Sequence, residues 1–363
     1  AKEKGCQAIA VAHHQNDQAE TVLMNLRRGA GIKGLCGIWP ARECRVESLE
    51  CRVVESCKLR VIRPLLCTTH DYICHYLRDI RHMDWVEDST NSDTKYRRNA
   101  IREELKSYTK AEIEHIAKTA EIMQQFVKEH TKHYGIIGKP LEHSFSKQWF
   151  TEFFEREHIL ADYSEIEGPL RCTTADAVRL DGYNVTYPYK EEIMSHLEQV
   201  DEIAKKIGAV NVVKGKKGYN TDWIGFTKAI KPLLTKLDKK ALILGTGGAA
   251  KAVNFALHRL GIKTQFVSRD ASKGLPYSAL TEETMHEYTI IVNCTPLGMY
   301  HNIEACPNIP YEFISSAHIL FDCIYNPAET LFLRQGKEYG ARISNGLKML
   351  EEQAKAAWEI WRI

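Results

Sequence analysis

LILGTGGAAKAV, Leu242 to Val253, decides the fold of most of this chain. The short apolar run Leu242-Ile243-Leu244 reads as a buried strand, and the alanine-rich continuation after Gly248 as a helix. Between them stands G-x-G-x-x-A, formed by Gly245, Gly247 and Ala250. Glycines there permit a tight turn and let the N–H groups at the helix start approach a pyrophosphate. Alone, the pattern suits a plain tight turn equally well; the flanking strand and helix favour dinucleotide binding. Gly245, Gly247, Gly248 and Ala249 are therefore candidate cofactor contacts.

Working outward, TQFVSRD, TIIVNCTPLG and HILFDCIY are also short, β-branched and bounded by turns. Such runs alternating with helical segments predict a parallel sheet in a doubly wound α/β fold. The end of the strand after the glycine turn bears on which dinucleotide is taken, since an acidic residue there usually holds a free ribose. This chain has Ser268 and Arg269, with Lys273 close by, a set suited to a ribose phosphate and so to NADP. Asp270 opposes that reading, because its carboxylate repels a phosphate or binds a free ribose, and NAD stays open.

Upstream lie GYNVTYPYK (Gly182 to Lys190), GAVNVV (Gly208 to Val213) and GYNTDWIGF (Gly218 to Phe226). Lys190 and Asp222, each accompanied by asparagines in tight turns, are a candidate proton-handling pair with polar groups to orient a polyol. Taken singly, each is better explained as a surface lysine or a turn asparagine than as a catalytic group.

Taken together with HSFSK, VNCTPLGM, DCIYNPAET and NGLKMLEEQA, these motifs resemble the shikimate dehydrogenase family, in order and across residues 134–363. The resemblance implies two α/β lobes. A shikimate-binding lobe would span 134–232 with the C-terminal helix 345–363, and a Rossmann NADP-binding lobe 236–344. It implies reversible NADPH-dependent reduction of 3-dehydroshikimate to shikimate, with Lys190 and Asp222 as the catalytic pair. Ser144 and Ser146 would hold the substrate carboxylate, and Asn184, Thr186, Asn211 and Gln353 would fix the ring substituents. Thr295, Gly298 and Met299 would lie by the nicotinamide, as would Tyr325, which also enters the substrate set. Two positions depart from the family pattern. Lys147 replaces a common proline after the serines, and Ser268-Arg269-Asp270 replaces Asn-Arg-Thr. An NAD-preferring shikimate or quinate enzyme is the alternative that Asp270 sustains.

Residues 1–130 have a different texture. AIAVAH (Ala8 to His13) predicts a buried strand, the stretch from Asp17 to Arg28 a helix, and AEIEHIAKTAEIMQQFVKEH an amphipathic helix. HHQNDQAETVLMNLRRGAGIKGLCGI, RPLL and WVEDSTNSDTKYRRNAIR resemble the tRNA(Ile)-lysidine synthetases, ATP-using ligases of the PP-loop type. His13, His14, Asp17, Glu20 and Thr21 match a nucleotide-site motif; Asp88, Asn91, Arg98, Asn99 and Arg102 match a later ligand- and tRNA-facing one. No serine-glycine-glycine turn precedes Ala8, and Asn16 replaces a usual acidic residue. The expectation is an incomplete PP-loop ATP pyrophosphatase-like α/β domain without ligase activity. The alternative is a bifunctional chain that also modifies tRNA.

A net charge of +2 announces neither nucleic acid nor an acidic tail, and no apolar run is long enough to span a bilayer. The expected location is the cytoplasm, with a homodimer left open. Eleven cysteines include no C-x-x-C pair, and Cys36, Cys44, Cys51 and Cys57 fit no zinc pattern. Reduced thiols and no metal are expected.

Overall fold

The computed structural model describes residues 6–45, 58–85, 97–139, 141, 144–170, 177, 179–300 and 302–363. The chain divides into two compact units, Ala1–Thr131 and Lys132–Ile363.

In the first unit the strands are β1 (Ala8–Ala10), β2 (Ala41–Arg45) and β3 (Lys58–Ile62), in the order β1-β3-β2. β3 runs parallel to β1 and antiparallel to β2. Three helices, α1 (Gln15–Arg27), α2 (Arg97–Leu105) and α3 (Lys110–His130), bury Ala19, Ile101, Leu105 and Ile113 against one another. α3 starts where the sequence supplies a capping box: the Thr109 hydroxyl accepts from the Glu112 amide, and the Glu112 carboxylate accepts from the Thr109 amide at 2.6 Å. The predicted buried strand differs from the observed one. β1 lies at the edge of the described sheet, and Ile9 is 39% exposed, because β1 pairs along one side only.

The second unit holds two sheets. The first contains β4 (Lys132–Gly138), β5 (Ala161–Glu167), β6 (Gly182–Val185), β7 (Gln199–Val200), β8 (Val212–Lys214) and β9 (Lys217–Tyr219), ordered β5-β4-β6-β8-β9-β7. The second contains β10 (Lys240–Leu244), β11 (Lys263–Val267), β12 (Ile290–Asn293), β13 (Ile319–Asp322) and β14 (Arg342–Ser344), ordered β11-β10-β12-β13-β14. This second sheet is wholly parallel, as the apolar runs predict. The first is mixed. β8 turns straight into β9 through Gly215, whose φ of +56° suits glycine, so β8 is antiparallel to both β6 and β9.

Helices α4 (Phe145–Arg156), α5 (Asp222–Ile230), α6 (Gly248–Arg259) and α7 (Leu347–Arg362) position the site. α7 serves both sheets. Its Met349 is buried with Ile243 and Phe321 of the parallel sheet, while its Trp361 is buried with Tyr134 of the mixed sheet and Phe150 of α4. Gly182 makes room for that indole, since an added Cβ would lie 2.4 Å from the Trp361 ring. Gly225 of α5 packs as tightly on α7, where a Cβ would lie 2.2 Å from the Met349 carbonyl. Among the described residues no helix is long and apolar enough to cross a membrane.

Candidate active site

Lys190 follows β6 and the turn through Pro188; Asp222 opens α5, which starts where β9 ends. The topology brings them together: Lys190 Nζ donates to Asp222 Oδ2 at 2.6 Å. Their side chains are 20% and 6% exposed, so little water screens the pair. Asp222 is held from its other side as well, where Oδ1 accepts from Asn211 Nδ2 at 2.8 Å. The same amide reaches Thr221 Oγ1 at 3.0 Å and Gln353 Oε1 at 3.3 Å. Asn211 Oδ1 accepts from the Thr221 amide at 2.7 Å, which fixes which end of the side chain faces Asp222. Asn184 joins through its Nδ2, donated to the Asn211 carbonyl at 3.3 Å. Its Oδ1 accepts from the Tyr163 hydroxyl at 2.6 Å.

Lys190, Asp222, Asn184, Asn211 and Gln353 thus form one connected polar network. Ser146 is buried, and burial pushes the ionisation of the Tyr163 phenol far upward. Ser144 precedes α4 and its side chain caps nothing in that helix. Thr186 donates its amide to Ile137 and is half-buried. Tyr325 stacks at a tilt on Phe145, ring centroids 5.6 Å apart, and burial raises its hydroxyl pKa. Ser144 and Tyr325 line a cavity of about 840 Å³ with Phe145, Lys147, Asn326 and Leu347. Lys190 and Asp222 do not line that cavity. Lys147, where the family often has proline, pairs with Glu165 at 2.8 Å. Thr221 and Tyr163 were not singled out from the sequence; Thr221 adjoins Asp222 in NTDW, the one signal that could have found it.

The glycine turn lies directly beside this network. Gly245 has φ +103°, and an added Cβ would lie 3.3 Å from the Cys294 carbonyl. At Gly248 a Cβ would come within 3.0 Å of Lys190 Cβ, so the start of α6 packs on the base of the lysine side chain. Gly247 caps α6 without any side-chain hydrogen bond, leaving the first N–H groups of that helix without a side-chain acceptor. Ala249 sits in this first turn. At the end of β12, Asn293 Oδ1 accepts from the amide and the hydroxyl of Thr295, and Gly298 turns the chain with φ +97° before the exposed Met299. Asn293 in turn donates to Asp322, whose burial raises its pKa to about 6.

After β11, Ser268, Arg269, Asp270 and Lys273 share one loop. Lys273 is engaged by Asp270, 3.4 Å away.

In the first unit, five charged or polar side chains converge. Glu20, almost fully buried, accepts from Arg98 Nε at 2.9 Å and from Arg102 Nε at 2.7 Å. Asp17 faces the same two guanidinium groups at 3.4 and 3.7 Å, and His14 Nε2 at 3.4 Å. Burial lowers the His14 pKa. His13 Nδ1 accepts from Arg63. The Thr21 hydroxyl donates to the Asp17 carbonyl, and Asn99 is buried. Asp88 and Asn91 lie outside the described residues. No group of side chains able to hold a metal occurs among the described residues, and their cysteines are free thiols. Cys51 and Cys57, as well as the side chain of Cys44, lie outside them.

Residues 1–125 match the family model described as a PP-loop domain, and residues 136–213 the shikimate dehydrogenase substrate binding domain. A curated shikimate dehydrogenase (NADP(+)) of Caldanaerobacter subterraneus subsp. tengcongensis is 35% identical over 257 residues, 64% of this chain and 91% of that protein. The crystal structure of shikimate dehydrogenase from Aquifex aeolicus is 37% identical with a TM-score of 0.58, over 64% of this chain and 92% of its own. The Thermus thermophilus enzyme, solved in complex with NADP(H) and shikimate, is 32% identical with a TM-score of 0.58, over 63% and 93%. With nearly the whole of each relative covered, and a lysine–aspartate pair packed on a glycine-rich helix start, the chain belongs to the shikimate dehydrogenase family, carrying a PP-loop domain ahead of it.

Proposed function

We infer that this chain is an NADP-dependent shikimate dehydrogenase, catalysing the reversible NADPH-dependent reduction of 3-dehydroshikimate to shikimate in aromatic amino-acid biosynthesis. The carrying observation is the Lys190–Asp222 pair, joined at 2.6 Å and packed against Gly248 at the start of the glycine-rich helix.

NADP(H) fits the residues present. The first turn of α6 offers N–H groups without a side-chain cap, and Gly245 and Gly247 keep the approach clear of side chains. When bound, it supplies or accepts the hydride. Lys190 holds a proton at Nζ for the oxygen that gains negative charge as the ketone is reduced. Asp222 keeps that ammonium in place through Oδ2 and is itself aligned by Asn211 through Oδ1. In the oxidation direction the same pair takes up the hydroxyl proton, as one relay unit. Ser144 and Ser146 are the proposed carboxylate ligands, with Asn184, Thr186, Asn211, Gln353 and Tyr325 around the ring. The connected amides restrict each side chain to one orientation, which favours a rigid, multiply hydroxylated ligand. Thr295, Gly298 and Met299 are the proposed neighbours of the nicotinamide. A cytoplasmic location agrees with this chemistry.

Purified chain should oxidise shikimate with NADP and form 3-dehydroshikimate, and should turn over quinate more slowly. Equal or faster turnover of quinate would replace shikimate as the substrate.

The PP-loop match favours a second reading for residues 1–125, ATP-dependent modification of tRNA. Against it, Asp17 and Glu20 are already matched by Arg98 and Arg102. Lysine incorporation into tRNA in the presence of ATP tests it.

A further inference from the structure

The loop after β11 carries a carboxylate where a ribose phosphate reader is least expected to tolerate one. Asp270 adjoins Arg269, the residue best suited to a ribose phosphate, and an uncompensated negative charge there would oppose that ligand. The structure shows how the charge is occupied. Asp270 Oδ1 accepts from the Ser272 amide at 3.0 Å and from the Ser272 hydroxyl at 2.6 Å. Its Oδ2 faces Lys273 Nζ at 3.4 Å, and its own amide donates to Ser268 Oγ at 3.1 Å. Both oxygens are thus turned into the loop's own turn, closed by the Lys273 amide on the Asp270 carbonyl at 2.9 Å.

The loop as a whole is fastened to its strand. Leu275 donates to the Phe266 carbonyl at 2.8 Å, and Ser268 to the Leu275 carbonyl at 2.9 Å. Gly274 allows the approach, since a Cβ there would lie 2.7 Å from the Phe266 oxygen. Arg269 is left in a different state from its neighbours. Among the described residues no hydrogen bond or ion pair engages its guanidinium.

We propose that Asp270, Ser272 and Lys273 form a specificity device in which Lys273 and the Ser272 donors neutralise Asp270, leaving Arg269 as the net charge that reads a ribose 2′-phosphate. This rests on the NADP reading above and adds to it a role for residues that a simple tally of charges would count for and against the phosphate. Lys273 acts here through Asp270 and is a positioning residue. The departure at Asp270 is thereby reconciled with preference for the phosphorylated dinucleotide.

The test is a binding cycle on the full chain, read by calorimetry with 2′,5′-ADP and with 5′-AMP as probes. The variants are Lys273→Ala, Asp270→Ala and the two combined. Lys273→Ala should weaken 2′,5′-ADP on the order of five-fold, the size expected of a solvent-exposed charge. Asp270→Ala should hold it as tightly as the parent or tighter, and the combined variant should return close to the parent. Affinity for 5′-AMP should stay constant throughout, which also reports an intact fold. A parent that binds both probes equally well would overturn the NADP reading and this proposal with it. A parent that discriminates, but in which Lys273→Ala weakens 2′,5′-ADP equally with and without Asp270, would overturn the proposal alone, because Lys273 would then be acting on the phosphate directly. Weakening by Asp270→Ala would also overturn it.

Discussion

Replacing Asp222 by asparagine keeps the size of the side chain and removes what the site uses. Asp222 accepts at both oxygens, from Lys190 at 2.6 Å and from Asn211 at 2.8 Å. An amide has one acceptor oxygen, so either orientation of the substituted side chain sets its NH₂ against another donor. Asn211 cannot flip to relieve the clash, because its own oxygen is held by the Thr221 amide. The lost attraction is large: at 2.6 Å and an effective dielectric constant of ~20, a charge pair interacts by about 6 kcal/mol. Part of that returns as hydration of Lys190, which is 20% exposed. A net loss of about 3–5 kcal/mol is the usual result of breaking such a pair. Asp222→Asn should therefore lower kcat for shikimate oxidation about 10²–10⁴-fold, the range set by general acid–base catalysis. The assay is steady-state NADPH formation, with kcat and KM separated and the pH profile recorded, beside a thermal melt to establish folding. Lys190→Ala should fall as far. A folded Asp222→Asn protein whose kcat stays within about threefold of the parent would refute the relay.

Other predictions concern the scaffold. Gly225→Ala would place a Cβ 2.2 Å from the Met349 carbonyl, so the crossing of α5 and α7 must open. A loss of at least about 1–3 kcal/mol should show as a lower Tm. Asp322 tests pH linkage. Burial raises its folded-state pKa to about 6, above an unfolded value of ~3.9. Between those values the folded state binds the extra proton, so stability is fully present below the lower value and declines as pH rises through the upper one. The loss is about 3 kcal/mol, visible in denaturant titrations across that window, and Asp322→Asn should flatten it. In the first unit, removing both Arg98 and Arg102 strands Glu20, which is 5% exposed. That should cost about 3–5 kcal/mol and expose α1 to hydrogen exchange, whereas Glu20→Gln should cost less because the arginines reach solvent.

The parallel sheet and its glycine turn were legible because their signal is local: an apolar run, a G-x-G-x-x-A spacing and a helix within twelve residues. Lys190 and Asp222 were found as residues through their motifs, but their direct bond joins the turn after β6 to the start of α5, 32 residues on, which no local pattern states. The mixed first sheet was missed for a related reason. VVKGKKGY holds only one apolar pair, Val212 and Val213, and its antiparallel hairpin turns at Gly215, which has a positive φ. Asp270 shows a third limit. Its charge was visible, whereas its neutralisation depends on the rotamers of Ser272 and Lys273, two and three residues away. In the first unit, the motif residues His14, Asp17, Glu20, Arg98 and Arg102 do gather, though the acids meet arginines, while His13 instead meets Arg63.

NADPH formation by the purified full chain with shikimate, compared with NADH formation under the same conditions, is the most direct test of an NADP-dependent shikimate dehydrogenase. Robust turnover with NADP and a clearly higher kcat/KM than with NAD is the expected result. A folded chain that turned over with neither cofactor, or that preferred NAD, would contradict it.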